Sequence, residues 1–271
     1  MNPAFTTLFG EPMSLSTRSP TSHTLTVQPH HCATATTLDL TAVVVCAGPW
    51  TAALCARLGL PVPPISNLPG HSLLIRPSLS AVCRATPLPV GAIFAGINGA
   101  EGGVHASTSG EARHLTPAER AEGHTKAPEL FARANGLVYC AGENSITTCG
   151  ADGALPHRLP ANVDLVRPLL DPRLVARLES AAAQCSSALD VAQGAVVEAK
   201  QFCFRPVTPD GDPIIDVLVP GVVLACGHGP WGITLAPGTG QVVAELVLEG
   251  AARSADISTL RLGRFPQKSK L

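Results

Sequence analysis

The sequence predicts a mixed fold: an α/β layer built from the two ends of the chain, and an α+β domain with a mixed or antiparallel sheet between them. Two continuous apolar runs, Ala42–Ala47 and Gly221–Gly227, each reach a glycine turn. Runs that are apolar on both faces are typical of strands covered on both sides, as in a parallel sheet. Residues 61–200 instead alternate short apolar runs with clusters of Gly, Pro and Ser, which favours short strands and turns.

The N-terminal part is predicted to become ordered only before the first apolar run. Residues 1–37 are rich in Thr, Ser, Pro and His, so we expect a weakly structured tail or a frayed hairpin, with His23–Val27 as its one plausible strand. After the run, Thr51–Leu58 is predicted to be a short helix that ends at Gly59 and is stopped by the prolines beyond it. Residues 38–60 thus supply one strand and one helix of the α/β layer.

The middle of the chain, residues 61–200, is predicted to be a separate domain. Asp171 as N-cap and Pro172 at the first helical position predict a helix that covers one face of its sheet. A second helix is indicated at Thr116–Glu119 by a capping box. The strand candidates are His71–Arg76, Ala92–Ala95 and Gly136–Cys140.

The last part of the chain again contains a long apolar run, like the one at residues 42–47. Val196–Val207 is predicted to be a strand, and the run at 221–227 is followed by a helix that ends at Gly250. Residues 201–250 are therefore predicted to join 38–60 in one domain, and 251–271 to form a C-terminal tail. The predicted apolar stripe of the helix consists of Val242, Val243, Leu246 and Val247.

Composition limits the kinds of partner. Of the 271 residues 14% are charged, and the net charge of -1 gives no electrostatic reason for binding nucleic acid or a membrane surface. No basic leader and no apolar stretch of about 18 residues is present. The nine cysteines form no Cys-x-x-Cys pair, which favours buried free thiols in a reducing compartment. We therefore expect a cytoplasmic protein with a small, nearly neutral partner.

Established motifs for other chemistries are missing from the sequence. It has no Gly-x-Ser-x-Gly, no His-Glu-x-x-His and no phosphate-binding Gly-x-x-x-x-Gly-Lys loop. It also has no paired His/Cys spacing for a metal, so no metal site is predicted. These absences argue against hydrolase, kinase and zinc-enzyme functions.

Three segments carry the pattern that points to a function. They are Val43–Thr51, with its Ala-Gly-x-Trp turn; Phe202–Ile215, with Arg-Pro-x-Thr-Pro-Asp-Gly-x-Pro-x-Ile; and Cys226–Gly240, with Gly-His-Gly-x-x-Gly-Ile-x-Leu. In this order the segments resemble the rear half of the D-amino-acid, glycine and sarcosine oxidase family, most closely the fungal-type branch of FAD-dependent oxidoreductases. The resemblance spans about 38–250 and fits poorly between 78 and 128.

The resemblance implies a partial FAD-binding, Rossmann-like layer formed by 38–60 and 201–250, and a substrate domain formed by 61–200. It implies FAD as cofactor and a small amine or amino acid as substrate. In the family the Cα–N bond is oxidised, with hydride leaving for the flavin N5 and oxygen reoxidising the flavin. Catalysis would depend mainly on orienting the substrate.

Site residues follow from the matched motifs. Arg205 matches the arginine that binds a substrate carboxylate, for which a planar guanidinium is suited. The alternative for Arg205 is a surface arginine at a strand end, and for His228 a backbone-shaping role is preferred over that of a catalytic base. Residues implied to contact the flavin are Ala47, Gly48 and Trp50 after the first strand, and Gly227, His228, Gly229, Gly232, Ile233, Thr234 and Leu235 after the second.

The sequence departs from the family pattern on the N-terminal side of the first apolar run. No strand followed by Gly-x-Gly-x-x-Gly, which would hold the FAD pyrophosphate, precedes Ala42. We therefore expect a truncated chain that purifies colourless and inactive. The alternative is a catalytically silent remnant that binds no flavin. The upstream genomic sequence discriminates between them: an in-frame Gly-x-Gly-x-x-Gly favours the enzyme and a stop favours the remnant.

Overall fold

The computed structural model describes residues 6–78, 90–95, 128–143, 159–161 and 163–266. The described α-helices are α1 Thr51–Arg57, α2 Pro172–Cys185 and α3 Gly232–Leu248. The strands are β1 Gly10–Ser19, β2 Ser22–Pro29, β3 Thr36–Leu40, β4 Val43–Val45, β5 Ser66–Arg76, β6 Gly91–Phe94, β7 Glu129–Ala132, β8 Val138–Glu143, β9 Val196–Val207, β10 Ile214–Val219 and β11 Val222–Cys226. The helix predicted at Thr116–Glu119 lies outside the described residues.

The chain divides into two compact units. The first unit combines Met1–Asn67 with Arg205–Leu271, and the second is Leu68–Phe204. Both ends of the chain thus fold together, with the middle segment forming a unit of its own. Mixed α/β architecture with several sheets and few helices agrees with the fold class that the sequence predicts.

The first unit contains the two apolar runs as neighbouring strands. β11 pairs in parallel with β4, with Val222 opposite Val43 and Leu224 opposite Val45. Both runs thus lie in one sheet, as expected for a single α/β layer built from the two ends of the chain. β10 pairs with the other edge of β11 in antiparallel fashion, so the sheet is mixed and has the order β10-β11-β4.

Burial differs between these two strands. Every residue of β11 is buried, because one face packs on a cluster that includes Cys55 and Ile214 and the other on a cluster that includes Val242 and Leu246. A fully buried leucine such as Leu224 contributes about 1.5–3 kcal/mol. In β4, by contrast, Val44 is 42% exposed. Strand β11 is therefore buried on both faces, as expected. For β4 this expectation is wrong, because the face that carries Val44 is exposed.

The segment predicted to be a weakly structured N-terminal tail is instead a sheet. β1, β2 and β3 form an antiparallel sheet in that order, so the expectation of weak structure is wrong from Gly10 onward, whereas the strand predicted at His23–Val27 is found within β2. Leu15 and Leu25 pack against the same cluster as Cys55, and His23 is buried with its Nδ1 3.1 Å from the hydroxyl of Thr17. β-Branched threonines suit a pleated surface, which compensates for the small number of large apolar residues.

The segment predicted to be a C-terminal tail is also docked, as far as residue 266. Ile257 and Leu262 are buried, and the backbone N–H of Leu262 donates to Asp216 Oδ2 at 2.9 Å. Glu245 Oε2 accepts from the N–H groups of Arg253 at 2.6 Å and Ser254 at 3.0 Å. These long-range contacts hold residues 251–266 on the first unit, which was not anticipated from the sequence.

The second unit places α2 against a five-stranded sheet of order β6-β7-β8-β5-β9. As predicted, Asp171 caps α2, accepting from Arg173 N at 2.8 Å, with Pro172 in the first turn. The shared core consists of Leu73, Ile75, Leu130, Val138, Cys140, Val175, Leu178, Ala182, Leu189 and Ala195. Of the three strand candidates of the middle segment, His71–Arg76 lies within β5, and the other two overlap β6 and β8 without matching their ends.

The described cysteines are all free thiols, and their burial ranges from full, through half-buried Cys185, to exposed. Cys55, Cys140 and Cys226 are buried, as the sequence predicts. Cys46 and Cys203 are exposed although they stand in apolar runs, so the expectation of burial is wrong for these two. Cys203 lies in β9, where strand alternation turns every second side chain outward whatever its hydrophobicity, and Cys46 follows the end of β4.

Candidate functional site

Two of the three motif segments follow the same edge of one sheet. β4 and β11 are parallel, so their carboxyl ends lie at one edge. The Ala47–Trp50 turn leaves that edge after β4, and the Gly227–Leu235 segment leaves it after β11. In open α/β sheets, ligands bind outside the carboxyl ends of the strands. The geometry therefore gives these two segments a common candidate site.

The turn after β4 is fixed by local hydrogen bonds and needs glycine. Gly48 has φ +53°, in the left-handed region, and a Cβ there would meet no atom within 4 Å. The buried Thr51 donates its hydroxyl to Gly48 O at 2.7 Å, and Trp50 N donates to Ala47 O at 3.1 Å. Gly48 thus presents bare backbone with open space beside it.

The turn after β11 contains two further left-handed glycines. Gly227 has φ +78° and Gly229 has φ +55°. A Cβ on Gly227 would lie 2.6 Å from Thr208 Cγ2, whereas a Cβ on Gly229 would meet nothing within 4 Å. Gly227 is therefore required by close packing, and Gly229 leaves room for a ligand. Residues 227–232, which the family resemblance implies to contact the flavin, are termed the flavin-edge loop.

His228 connects the flavin-edge loop to the neighbouring elements. Its Nε2 lies 2.9 Å from the Thr239 hydroxyl on α3, and its backbone forms an isolated antiparallel bridge with Val207. Burial lowers the pKa of His228 below its ordinary 6.5, so the neutral imidazole is favoured. No role is assigned to Thr239 from the sequence, although this residue lies within the Cys226–Gly240 segment.

The beginning of α3 suits a negatively charged, flat group. The helix begins at Gly232 with no side-chain cap and no acidic residue in its first turn. Its first N–H groups are thus not capped by a side chain, and the helix dipole is positive at this end. The side chains around it are apolar and solvent-accessible: Trp231 is 63%, Ile233 93% and Leu235 39% exposed. Thr234 is exposed as well.

Arg205 belongs to the first unit and stands near the end of β9. It lies two residues before Val207, whose backbone pairs with His228. The strand that carries Arg205 therefore reaches the flavin-edge loop. Its carboxylate-binding role remains a prediction.

The described part of the chain contains no metal-binding cluster and no membrane-spanning helix. Across residues 6–78, 90–95, 128–143, 159–161 and 163–266, no three His, Cys, Asp or Glu side chains could together hold a metal ion. No helix among the same residues is long and apolar enough to cross a membrane. The flavin-edge loop and the Gly48 turn remain the candidate site.

Residues 22–246 match the family described as "FAD dependent oxidoreductase". The chain belongs to this family. A protein of Schizosaccharomyces pombe that is named as an oxidoreductase is 29% identical over 229 residues, which cover 82% of this chain and 46% of the relative. A similarly named protein of Saccharomyces cerevisiae is 28% identical over 226 residues, covering 82% of this chain and 34% of the relative.

Among solved structures, the glycine oxidase of Geobacillus kaustophilus superposes with a TM-score of 0.58 and 21% identity. The match covers 94% of this chain and 52% of the glycine oxidase chain, and it establishes a shared fold. The chain spans about half the length of that oxidase, and less than half of the two fungal relatives.

Proposed function

We propose that this chain forms the flavin-edge and substrate-binding part of a FAD-dependent enzyme that oxidises the C–N bond of a small amine or amino acid. The observation that carries the proposal is the shared carboxyl edge of β4 and β11, from which both flavin-contact segments leave. Family membership supports FAD as the cofactor. A glycine oxidase among the structures with this fold supports an amino-acid or amine substrate.

The residues at the edge fit an isoalloxazine ring. Gly48 and Gly229 offer backbone that a flat group can approach, because nothing within 4 Å occupies the place of a Cβ at either position. The uncapped N-terminus of α3 favours negative charge, which collects on the pyrimidine edge of a reduced flavin. Ala47, Trp50, Ile233, Thr234 and Leu235 complete the proposed contact set. The flavin, when bound, supplies a two-electron acceptor.

Binding and orientation of the substrate are proposed for Arg205. Its guanidinium would hold a substrate carboxylate through two parallel hydrogen bonds and so fix the direction of the reacting C–H bond. His228 is proposed to shape the flavin-edge loop rather than to transfer a proton, since its Nε2 is engaged by the Thr239 hydroxyl and its backbone pairs with Val207.

The first test is the flavin content of the purified 271-residue chain. We expect it to be colourless, because no Gly-x-Gly-x-x-Gly that could hold the FAD pyrophosphate stands before Ala42 in these 271 residues, and the one at Gly227–Gly232 is proposed to contact the flavin edge instead. Association costs about 4–15 kcal/mol before any contact is counted, which the remaining contacts would have to offset alone. A near-equimolar flavin spectrum would contradict this expectation, and another segment would then have to bind the pyrophosphate.

The second test fuses the chain behind a Gly-x-Gly-x-x-Gly strand–turn–helix segment taken from the family. The fusion is expected to be yellow and to produce hydrogen peroxide or reduce a dye with one member of a panel of amines and amino acids. Arg205→Lys should raise KM by about 10-fold or more, because a single ammonium replaces the planar fork. Arg18→Met at an exposed position of β1 is the matched control and should leave KM unchanged.

The outcomes separate the parts of the proposal. A yellow fusion that oxidises none of the panel would refute amine oxidation and leave flavin binding in place. A folded fusion that binds no flavin would refute the flavin-edge role and favour the silent remnant. A KM that is unchanged by Arg205→Lys would assign the carboxylate to another residue.

A further inference from the structure

The turn that follows β9 is tied to the C-terminal segment by Arg264. Its Nε donates to Asp210 Oδ2 at 2.7 Å and its Nη2 to Asp210 Oδ1 at 3.1 Å, which is a bidentate pair. Nη2 also donates to Asp212 O at 2.8 Å. The Arg264 side chain is 16% exposed, and its guanidinium lies over the ring of Phe265 at 4.3 Å. Arg264 is thus held on several sides and well placed to fix this turn.

The same turn contacts the flavin-edge loop. Asp212 O is a shared acceptor, because it also accepts the Thr208 hydroxyl at 2.7 Å. Thr208 is 3% exposed, and its Cγ2 lies against Gly227 so closely that a Cβ there would be only 2.6 Å away. One residue earlier, Val207 forms the backbone bridge with His228. A continuous chain of contacts therefore runs from Arg264 through Asp212 and Thr208 to the loop.

We propose that Arg264 is a positioning residue for the flavin-edge loop. By holding the carbonyl of Asp212, it orients Thr208, which packs under Gly227 and fixes the direction in which the loop leaves β11. Arg264 touches neither cofactor nor substrate in this proposal and acts through the 208–212 turn. Its consequence for catalysis rests on the function proposed above, whereas the mechanical link stands on the contacts themselves.

The charges at the 208–212 turn support the attachment of this turn to Arg264. Hydrogen bonds from Arg264 are the largest cause that lowers the pKa of Asp210 from 3.8 to about 2. Asp210 is therefore ionised at neutral pH, and the pair is charge-assisted. Arg261 is a natural control, because its guanidinium faces Asp216 at 3.6 Å instead of the turn.

Hydrogen–deuterium exchange on the 271-residue chain tests the link directly. In Arg264→Ala we expect amide exchange about 10-fold faster in peptides covering 206–213 and also in those covering 226–232. Arg264→Lys should give an intermediate rate, since a lysine cannot form the bidentate pair. Arg261→Ala should leave both sets of peptides as in the wild type, and peptides from β2 and α2 should not change in any variant.

Faster exchange confined to 206–213 would overturn the proposal, because the turn would then move without the loop. Faster exchange in every peptide of the first unit would also overturn the proposal, since it would indicate general destabilisation. If Arg264→Ala does not fold, Arg264→Lys and Asp210→Asn decide between the same outcomes. Asp210→Asn keeps the shape of the side chain and removes the charge.

The catalytic consequence is measured in the flavin-loaded fusion. Arg264→Ala should raise the dissociation constant for flavin and lower kcat, each by about 10-fold, with partial recovery in Arg264→Lys. Arg261→Ala should change neither. Unchanged flavin affinity and kcat together with faster exchange at 226–232 would overturn the positioning role. A fusion without flavin would instead refute the proposed function, while the exchange experiment would still decide whether Arg264 holds the loop.

Discussion

Replacing Gly227 by alanine is expected to destabilise the first unit through two separable effects. Gly227 has φ +78°, and a residue with a Cβ in this region loses about 1–2 kcal/mol. The new Cβ would also lie 2.6 Å from Cγ2 of the buried Thr208, and overpacking of this kind costs about 1–3 kcal/mol. The expected loss in the free energy of unfolding is therefore about 2–5 kcal/mol.

Two further variants separate the backbone effect from the steric one. Gly211→Ala, with φ +85° and no atom within 4 Å of the new Cβ, should lose only about 1–2 kcal/mol. Thr208→Ser removes Cγ2 and keeps the hydroxyl that donates to Asp212 O. Combined with Gly227→Ala, it should recover most of the steric part, as a coupling energy of about 1–3 kcal/mol.

Urea unfolding followed by tryptophan fluorescence is a suitable assay. The chain has two tryptophans, Trp50 and Trp231, and both belong to the first unit. The comparison requires that the denaturant dependence m stays constant among the variants. Equal losses for Gly227→Ala and Gly211→Ala would refute the close-packing argument. The close-packing argument would also be refuted if the losses of Gly227→Ala and Thr208→Ser simply added in the double variant.

Three other predictions concern acid stability, helix capping and thiol reactivity. Hydrogen bonds, first that from the Arg253 backbone, lower the pKa of Glu245 from 4.5 to about 2. Its stabilisation is thus present above pH 4.5 and lost toward pH 2, and Glu245→Gln should flatten the dependence of Tm on pH in this range. Asp171→Ala should lower the free energy of unfolding of the second unit by about 1 kcal/mol, measured by circular dichroism in urea, while Asp171→Asn retains the cap. Iodoacetamide should modify the native chain first at the exposed thiols, as mass spectrometry of its peptides can check. Burial raises the pKa of the protected thiols, to about 11 for Cys55 and about 12 for Cys140 and Cys226, whereas Cys32 and Cys203 are exposed.

Elements with strong local signals were predictable from the sequence. The pair of β4 and β11 could be predicted because uninterrupted β-branched runs that end beside glycine have few alternatives in a folded chain. Helix α2 was indicated by Asp171 and Pro172, whose capping geometry depends only on neighbouring residues. The turns of the candidate site were predictable for the same reason, because Gly48, Gly227 and Gly229 are needed for local backbone conformations. Their grouping at one edge then follows from the parallel pairing of the strands.

By itself, the sequence determined the family, the parallel strand pair with its glycine turns and the capped helix, because each is written in residues close together along the chain. Only the tertiary structure decided that residues 10–40 form a sheet, which depends on pairing between polar strands that carry no continuous apolar signal. It also decided that Arg264 binds Asp210, 54 residues earlier. Contacts at such separation arise from surfaces that meet only after the chain has folded, so no periodicity or spacing near either residue records them.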